Sequence, residues 1–341
     1  MIFRQLFDQD TWTYTYLLAD EETRQAIIID PVLERVERDI QLIAELGLEL
    51  VYALDTHVHA DHITGAGELR YRLGAISAVS EVANVPCADR RLIHGEVLTF
   101  GKYRLEARST PGHTDGCMTF IVETDEETMV FTGDALFIRG TGRTDFQQGD
   151  AGTLYDSIQD QIFSLPDNAV IYPGHDYRGH QTSTVGEEKA HNPRIKSGTT
   201  REAFINLMEN LDLAHPKKIH EALPANMSCG VVDRDTEEED DFQQLDVSAL
   251  EGFPNALIVD VRSDDEYHGE LGHLPNARLA PLPELRRLAE HWERHQPVLV
   301  VCRSGRRSQL GCSILSELGF SHVANLKGGM QALREFEGRG H

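Results

Sequence analysis

In Thr56-His57-Val58-His59-Ala60-Asp61-His62, three imidazoles and a carboxylate fall within six positions. Such short spacings converge imidazole nitrogens on one point, and histidine is the commonest protein ligand for a metal. Three further candidates stand beside glycines: His113 in Thr-Pro-Gly-His-Thr-Asp-Gly, Asp134 in Phe-Thr-Gly-Asp-Ala and His175 in Tyr-Pro-Gly-His-Asp-Tyr. A neighbouring glycine lets the backbone approach closely and presents the side chain from an edge. Any of these alone reads as a hydrogen-bonded structural residue; joined to the cluster they form a metal-binding set. A second chemistry is signalled by Cys302-Arg303-Ser304-Gly305-Arg306-Arg307-Ser308, which follows the apolar run Val298–Val301 and leads into a helix. A loop between a strand end and a helix N-terminus turns successive N–H groups toward one centre, and the helix dipole adds positive potential. A cysteine placed there becomes nucleophilic, and Arg303, Arg306 and Arg307 add charge for an anionic substrate.

The elements that must position these groups can be read in outline. A strand over 48–55, with Leu50-Val51-Tyr52-Ala53-Leu54 at its heart, delivers the histidine cluster at its C-terminal end. A strand over 26–30 precedes it, halted by Pro31, and then Val36, Ile40, Ile43 and Leu46 recur at helical spacing up to Gly47. Leu69 and Leu73 mark a short helix ending at Gly74. Strands are predicted near 76–80, 96–100, 103–109, 118–123, 128–132 and 169–172, with a helix near 152–164. Strands broken by occasional helices, with polar ligands at strand ends, suggest two sheets covered by helices, an αββα layering. Between 231 and 245 the composition turns acidic: Asp233, Asp235, Glu237, Glu238, Glu239, Asp240 and Asp241 face only Arg234. A run that repels itself and lacks apolar anchors predicts a linker, dividing a domain of 1–230 from one of 246–341. Beyond it come strand 257–261, helix 282–294, strand 298–301, helix 307–318 and strand 322–326, a small α/β domain on a parallel sheet.

Composition limits the partners. A net charge of −24 disfavours non-specific binding to nucleic acid or anionic membranes, while leaving room for locally basic pockets. No apolar run is long enough to span a bilayer and the start shows no targeting pattern, so the expected address is the cytoplasm, with no membrane partner. Five cysteines, an odd number with no CxxC pair, argue against a disulfide framework and leave room for one reactive thiol. Cys117, Cys229 and Cys312 are then expected to be packing residues. Homo-oligomerisation stays open.

His57, His59, Asp61, His62, His113, Asp134 and His175 resemble the ligand set of the metallo-β-lactamase superfamily, which implies its αββα sandwich. Two chemistries stay open on that set. With all seven on metal, the site is similar to the dinuclear zinc or iron site of glyoxalase II, where a hydroxide of lowered pKa attacks a thioester. With His57, His113 and Asp134 alone, two imidazoles and a carboxylate leave open positions, a pattern suited to non-haem Fe(II) and oxygen. The neighbourhood discriminates. Arg139-Gly140-Thr141-Gly142-Arg143-Thr144-Asp145-Phe146-Gln147-Gln148-Gly149, Asp55-Thr56, Ala60-Asp61-His62-Ile63-Thr64-Gly65, Asn192-Pro193-Arg194 and Pro224-Ala225-Asn226-Met227 resemble persulfide dioxygenases, over about 2–230. That resemblance implies one Fe(II) per chain on the triad. His59, Asp61, His62 and His175 then orient ligands by hydrogen bonds, or mark a vacant second metal site. It also implies oxidation of glutathione persulfide by O2 to sulfite and glutathione. Arg143, Tyr177 and Arg194 are the expected glutathione contacts, arginine offering a planar fork for carboxylates and tyrosine a hydroxyl.

The Cys302 loop admits two readings. Cysteine-dependent phosphatases place an arginine six positions after the cysteine, and here that position is Ser308. The loop resembles that of rhodanese sulfurtransferases instead, with Asp260-Val261-Arg262, Gly272-His273-Leu274-Pro275-Asn276-Ala277 and Lys327-Gly328-Gly329 in support, over about 245–338. Many rhodanese-like domains carry tryptophan shortly after the Gly-Gly pair; this chain has Met330-Gln331-Ala332-Leu333. The resemblance implies transfer of sulfane sulfur between thiosulfate or sulfite and glutathione through a Cys302 persulfide. Sulfite, the first site's product, is an acceptor at the second. Two other readings compete: a glyoxalase II-like thioester hydrolase fused to a rhodanese domain, and a non-catalytic sulfur-binding protein with a structural metal. The second is disfavoured, since a structural site is usually closed by four ligands.

Overall fold

A computed structural model describes residues 1–211, 219–230, 242–253 and 256–338. The chain forms two units, one holding residues 1–69 and 76–232 and the other 70–75 and 233–341. In the first, β1 (Ile2–Asp8), β2 (Thr13–Ala19), β3 (Gln25–Ile29), β4 (Glu49–Leu54), β5 (Ile76–Ser80) and β6 (Arg90–Leu92) lie side by side in sequence order. β1 to β3 pair antiparallel, β3 to β6 parallel. Parallel neighbours need a crossover, supplied by α1 (Val36–Glu45) and then α2 (Ala66–Leu73). The second sheet runs β12 (Ser183–Thr184), β11 (Val170–Pro173), β10 (Thr128–Gly133), β9 (Met118–Glu123), β8 (Tyr103–Ser109), β7 (Glu96–Phe100).

Side-chain alternation makes the layers. Tyr16, Leu18, Ile27, Ile29 and Leu54 of one sheet meet Phe100, Leu105, Phe120 and Phe131 of the other in one buried cluster. The opposite residues of the second sheet, Ile121, Val130 and Ile171, pack with Leu154 of α3 (Ala151–Ser157) and Phe204 of α5 (Arg201–Glu209). On the first sheet Leu17, Ile28 and Ala53, facing away from the shared core, are also fully buried, and α1 and α2 bury Val36, Ile43 and Leu69. This is the expected αββα arrangement. The helix predicted near 152–164 is α3 continued by a π-helical turn, Ile158–Ile162. Two helices without a clear sequence signal, α4 (Val185–His191) and α6 (Ile219–Met227), complete the unit.

In the second unit β13 (Gln243–Leu245), β17 (Val323–Leu326), β16 (Val298–Val301), β14 (Leu257–Asp260) and β15 (Arg278–Leu279) form one all-parallel sheet in that spatial order. Val298 and Val300 face one core, with Cys312 of α9 (Arg306–Glu317); Leu299 and Val301 face another, with Leu333 of α10 (Gly329–Gly338). Two short helices, α7 (Asp264–His268) and α8 (Leu282–Ala289), complete it. Two expectations change. The linker loses its C-terminal end, because Gln243–Leu245 pairs with β17; residues 231–241 lie outside the described residues. The helix expected over 282–294 ends at Ala289, where the Arg294 guanidinium donates to the carbonyls of Ala289 and Glu290 and so satisfies the helix end. Among the described residues no helix is long and apolar enough to cross a membrane.

Candidate metal centre and thiol loop

The histidine loop leaves β4 at Leu54 and is held by a residue the sequence reading passed over, Asp30 at the end of β3. Its Oδ1 accepts from the Thr56 backbone N–H at 2.7 Å and from His59 Nε2 at 3.1 Å, and its Oδ2 accepts from Thr56 Oγ1 at 2.9 Å. The Thr56 hydroxyl has one proton and gives it to Asp30, so at 3.0 Å it accepts from His57 Nδ1–H. His57 must then present Nε2. His113 is fixed the same way: its Nδ1–H donates to the Arg143 carbonyl at 2.7 Å, leaving Nε2 3.5 Å from Asp134 Oδ2. Asp134 follows Gly133, where a side chain would meet Thr56 Oγ1 at 2.6 Å and the backbone is left-handed (φ 49°). Ligand atoms of His57, His113 and Asp134 all lie within 4.8 Å of one another, and all three residues are buried.

Charge follows from burial and neighbours. Burial, with His59 and His113 beside it, holds His57 well below the ordinary imidazole value, so it is neutral and able to ligate. Burial would also lower His59, but the Asp30 carboxylate overrides it and holds the ring up at about 9. Burial pushes Asp61 upward, yet His62 and His175 bring it well below the carboxylate range. His62 Nδ1 sits 2.9 Å from Asp61 Oδ2, and Thr13 Oγ1 donates to the same oxygen at 3.2 Å. His175 Nδ1 donates to the Trp12 carbonyl at 3.2 Å, aiming Nε2 at Asp134 Oδ1 (3.5 Å) and Asp61 Oδ2 (3.7 Å). His59, Asp61 and His62 bring ligand atoms within 4.8 Å as well. Behind the loop, Asn226 of α6 donates to the carbonyls of His59 (2.8 Å) and His62 (2.9 Å) and accepts from Thr64 N–H. Among the described residues, buried Nδ1 of His59, Nε2 of His62 and Oδ1 of Asp134 have no hydrogen-bond partner. Buried polar atoms are costly unless satisfied, so a donor set of imidazoles and a carboxylate with such atoms around it fits a divalent metal.

A cavity of about 580 Å³ opens from this centre, and its lining includes His113, Asp134 and His175 together with Arg143, Tyr177 and Arg194. Arg143 forms a two-point pair with Asp145 and lies 3.9 Å over the Phe146 ring. Tyr177 is exposed, its ring stacked on His175 at 6.0 Å. Burial of its hydroxyl end, with Asp134 and Asp61 near, pushes the phenol up, so it stays protonated. The Arg194 guanidinium donates to Thr141 O and Oγ1 and has no carboxylate partner among the described residues. Burial and the adjacent Arg178 lower it from its ordinary value.

In the second unit Cys302 directly follows β16, wholly buried, and Ser308 Oγ donates to its Sγ at 3.3 Å. Its carbonyl accepts from Met330 N–H at 2.8 Å, an approach that Gly329 permits, since a side chain there would meet that oxygen at 2.3 Å. Arg303 and Ser304 are partly exposed, and Gly305 caps α9 in a left-handed conformation. Arg307 is not the free cation the sequence suggested: it is buried, and both its amino groups donate at 2.7 Å to Glu266, which is partly buried. The Arg306 side chain lies outside the described residues. Arg262 pairs with Asp260 at 2.6 Å and donates to the Gly272 carbonyl, tying the earlier motifs to this domain's frame. Cys312 and Cys117 are buried, as packing residues should be. Cys229 is not one of them: it is disulfide-bonded to Cys87 with their Cα atoms 6.0 Å apart, a pairing across 142 residues that spacing could not reveal.

Comparison with known proteins agrees with the fold. Residues 13–175 match the metallo-beta-lactamase superfamily and residues 244–335 the rhodanese-like domain. Persulfide dioxygenase ETHE1, mitochondrial, of Mus musculus is 53% identical over 232 residues, covering 68% of this chain and 89% of the relative. The Homo sapiens protein of that name is 52% identical over the same shares. The crystal structure of ETHE1 from Myxococcus xanthus superposes with a TM-score of 0.65 at 52% identity, over 68% of this chain and all of the other. A metallo-beta-lactamase from Staphylococcus aureus, 25% identical, covers 96% of this chain with a TM-score of 0.63. The chain therefore belongs to the persulfide dioxygenase family, an enzyme family of metallo-β-lactamase fold, and carries a rhodanese-like sulfurtransferase domain after it.

Proposed function

We propose that residues 1–230 form a mononuclear non-haem iron dioxygenase that oxidises glutathione persulfide to sulfite and glutathione, and that residues 246–341 move sulfane sulfur through Cys302. The observation that carries this reading is the cavity in which His113 and Asp134 share one space with Arg194, whose charge no carboxylate neutralises among the described residues. In a chain of net charge −24 such a cation calls for an anionic ligand, and a tripeptide with two carboxylates suits it. Fe(II) held by His57, His113 and Asp134 would supply the one-electron chemistry that O2 requires.

The protein's part is positioning. Three ligands on one side, two with tautomers set by Thr56 and Arg143, leave the remaining positions for reactants. Arg194 and Arg143 clasp the carrier's carboxylates, and the protonated Tyr177 hydroxyl donates to one of them. The terminal sulfur is thereby directed toward the triad, replacing a chance encounter with a held one. Both atoms of O2 pass to that sulfur, water supplies the third oxygen of sulfite, and glutathione leaves as the thiol.

One metal is favoured because Asp61 Oδ2 already accepts from His62 and Thr13 while His59 is engaged by Asp30. The convergence of His59, Asp61 and His62 favours, as a second reading, a dinuclear thioester hydrolase. Anaerobically purified protein separates the two. We expect one iron per chain and sulfite formed in step with oxygen uptake on glutathione persulfide. Two metals per chain with hydrolysis of an S-acyl glutathione would overturn the oxidative reading.

A further inference from the structure

Gln147 occupies an unusual position in the cavity. It and Gln148 are consecutive non-glycine residues in the left-handed region, at φ 49° and 59°. Each such residue carries a backbone cost, and such costs gather where surrounding structure fixes a residue for use. Gln147 Nε2 donates to the Val58 carbonyl at 2.8 Å, between His57 and His59. A carbonyl only accepts, so this bond fixes which end of the amide is which. The other end, Oε1, is buried without a hydrogen-bond partner among the described residues, and the residue lines the cavity beside His113 and Asp134. A fixed, desolvated acceptor calls for an N–H donor on whatever fills that space.

The cavity's cations answer the carrier's carboxylates, and nothing in that set answers its peptide groups. We propose that Gln147 Oε1 accepts a hydrogen bond from a peptide N–H flanking the sulfur-bearing residue of the carrier. The site would then select thiols that place an amide there over thiols that do not. This rests on the glutathione reading above. Gln147 acts here as a specificity residue: it grips the carrier's backbone near the sulfur, while the arginines grip its ends. Anchored at Val58, it also ties the carrier's placement to the metal loop.

The test is calorimetric binding, under nitrogen, of glutathione and of two analogues to the full-length, iron-loaded chain. Each analogue replaces one peptide N–H by an ester oxygen. Unaltered protein should bind one ester at least about tenfold more weakly than glutathione, the other with little change. Gln147→Leu should weaken glutathione by a similar factor and abolish the discrimination, so that glutathione and the sensitive ester bind alike. Equal binding of glutathione and both esters to the unaltered protein overturns the proposal. So does Gln147→Leu weakening all three ligands by one factor, which would mark a loop anchor only. The ester comparison runs on unaltered protein and stands even where the substitution disturbs the loop. Failure of glutathione itself to bind would instead remove the carrier assignment, an outcome distinct from bound glutathione that ignores Gln147.

Discussion

Asp30 shows how much one carboxylate can organise. It is buried and left-handed (φ 50°), a conformation aspartate tolerates better than most residues, and it serves three donors at once. Asparagine has a single oxygen and cannot accept all three. Asp30→Asn should therefore let the His59 ring fall from about 9 and free the Thr56 hydroxyl from its fixed direction. Loss of such orienting partners typically costs about 10–100-fold in metal affinity or activity. Iron content after dialysis, with oxygen uptake on reloaded protein, checks this; retention of both would show the network to be dispensable. In the second unit the part-buried Glu266–Arg307 pair supplies a pH dependence. Burial alone would raise Glu266, but Arg307 overrides it and brings the carboxyl to about 2, from an ordinary 4.5. A depressed carboxylate stabilises the fold above about 4.5 and loses that contribution as pH falls toward about 2. Hydrogen exchange in β14 and β16 should accelerate through that window. Glu266→Gln should remove the dependence and destabilise the domain by about 2–3 kcal/mol at neutral pH, mainly by taking the carboxylate charge away from the Arg307 guanidinium. An unchanged acid profile in the variant would refute the assignment.

At the scale of elements, α6 is the brace of the metal loop. Asn226 places its amide against two carbonyls and an N–H of residues 59–64, and Asn226→Ala would leave all three buried and unpaired. The expected cost is about 3 kcal/mol. That lowers the melting temperature of the first unit by about 6–12 °C and increases iron loss; a shift near zero would mean the loop holds itself. Nothing local announces this helix, which carries Pro224 in its interior and no clear apolar stripe. The elements that were legible are those whose own side chains decide them. β5, β7, β8 and β9 fall at the predicted bounds because alternation and flanking turns are local signals. The seven candidate residues of the metal region likewise come together, since each announced itself by type and by either close spacing or glycine context. What stayed hidden was pairwise and distant. Asp30 read only as the end of a strand, Arg307 as a free cation because Glu266 lies 41 residues away, and Cys229 as packing because Cys87 lies far upstream. Gln147, too, gains its meaning only from the orientation of an amide that no sequence pattern encodes.

For the molecule as a whole, the pairing of domains is a chemical statement. Each unit concentrates basic residues around sulfur chemistry in a chain whose net charge is −24, and the product of one proposed reaction is a reactant of the other. In the proposed second reaction, thiosulfate would give its sulfane sulfur to the Cys302 sulfur and release sulfite. A glutathione thiolate would then attack the outer sulfur of the Cys302 persulfide, forming glutathione persulfide and releasing the Cys302 sulfur for the next cycle. Run this way, the second domain feeds the first; run backward, it consumes the sulfite that the first makes. Ser308, whose hydroxyl donates to Cys302 Sγ, and the Met330 N–H on the Cys302 carbonyl hold the nucleophile for either direction. Exchange through diffusing small molecules suffices, so the dependence can be read on the full chain. With thiosulfate and glutathione as the only sulfur sources, oxygen uptake should fall more than about tenfold in Cys302→Ser, because removing the nucleophile of a covalent route removes the route. The same variant supplied with glutathione persulfide should consume oxygen at the unaltered rate. Undiminished uptake in the first condition would mean that the iron site receives its sulfur without Cys302, and the two domains would then share a chain without sharing a reaction.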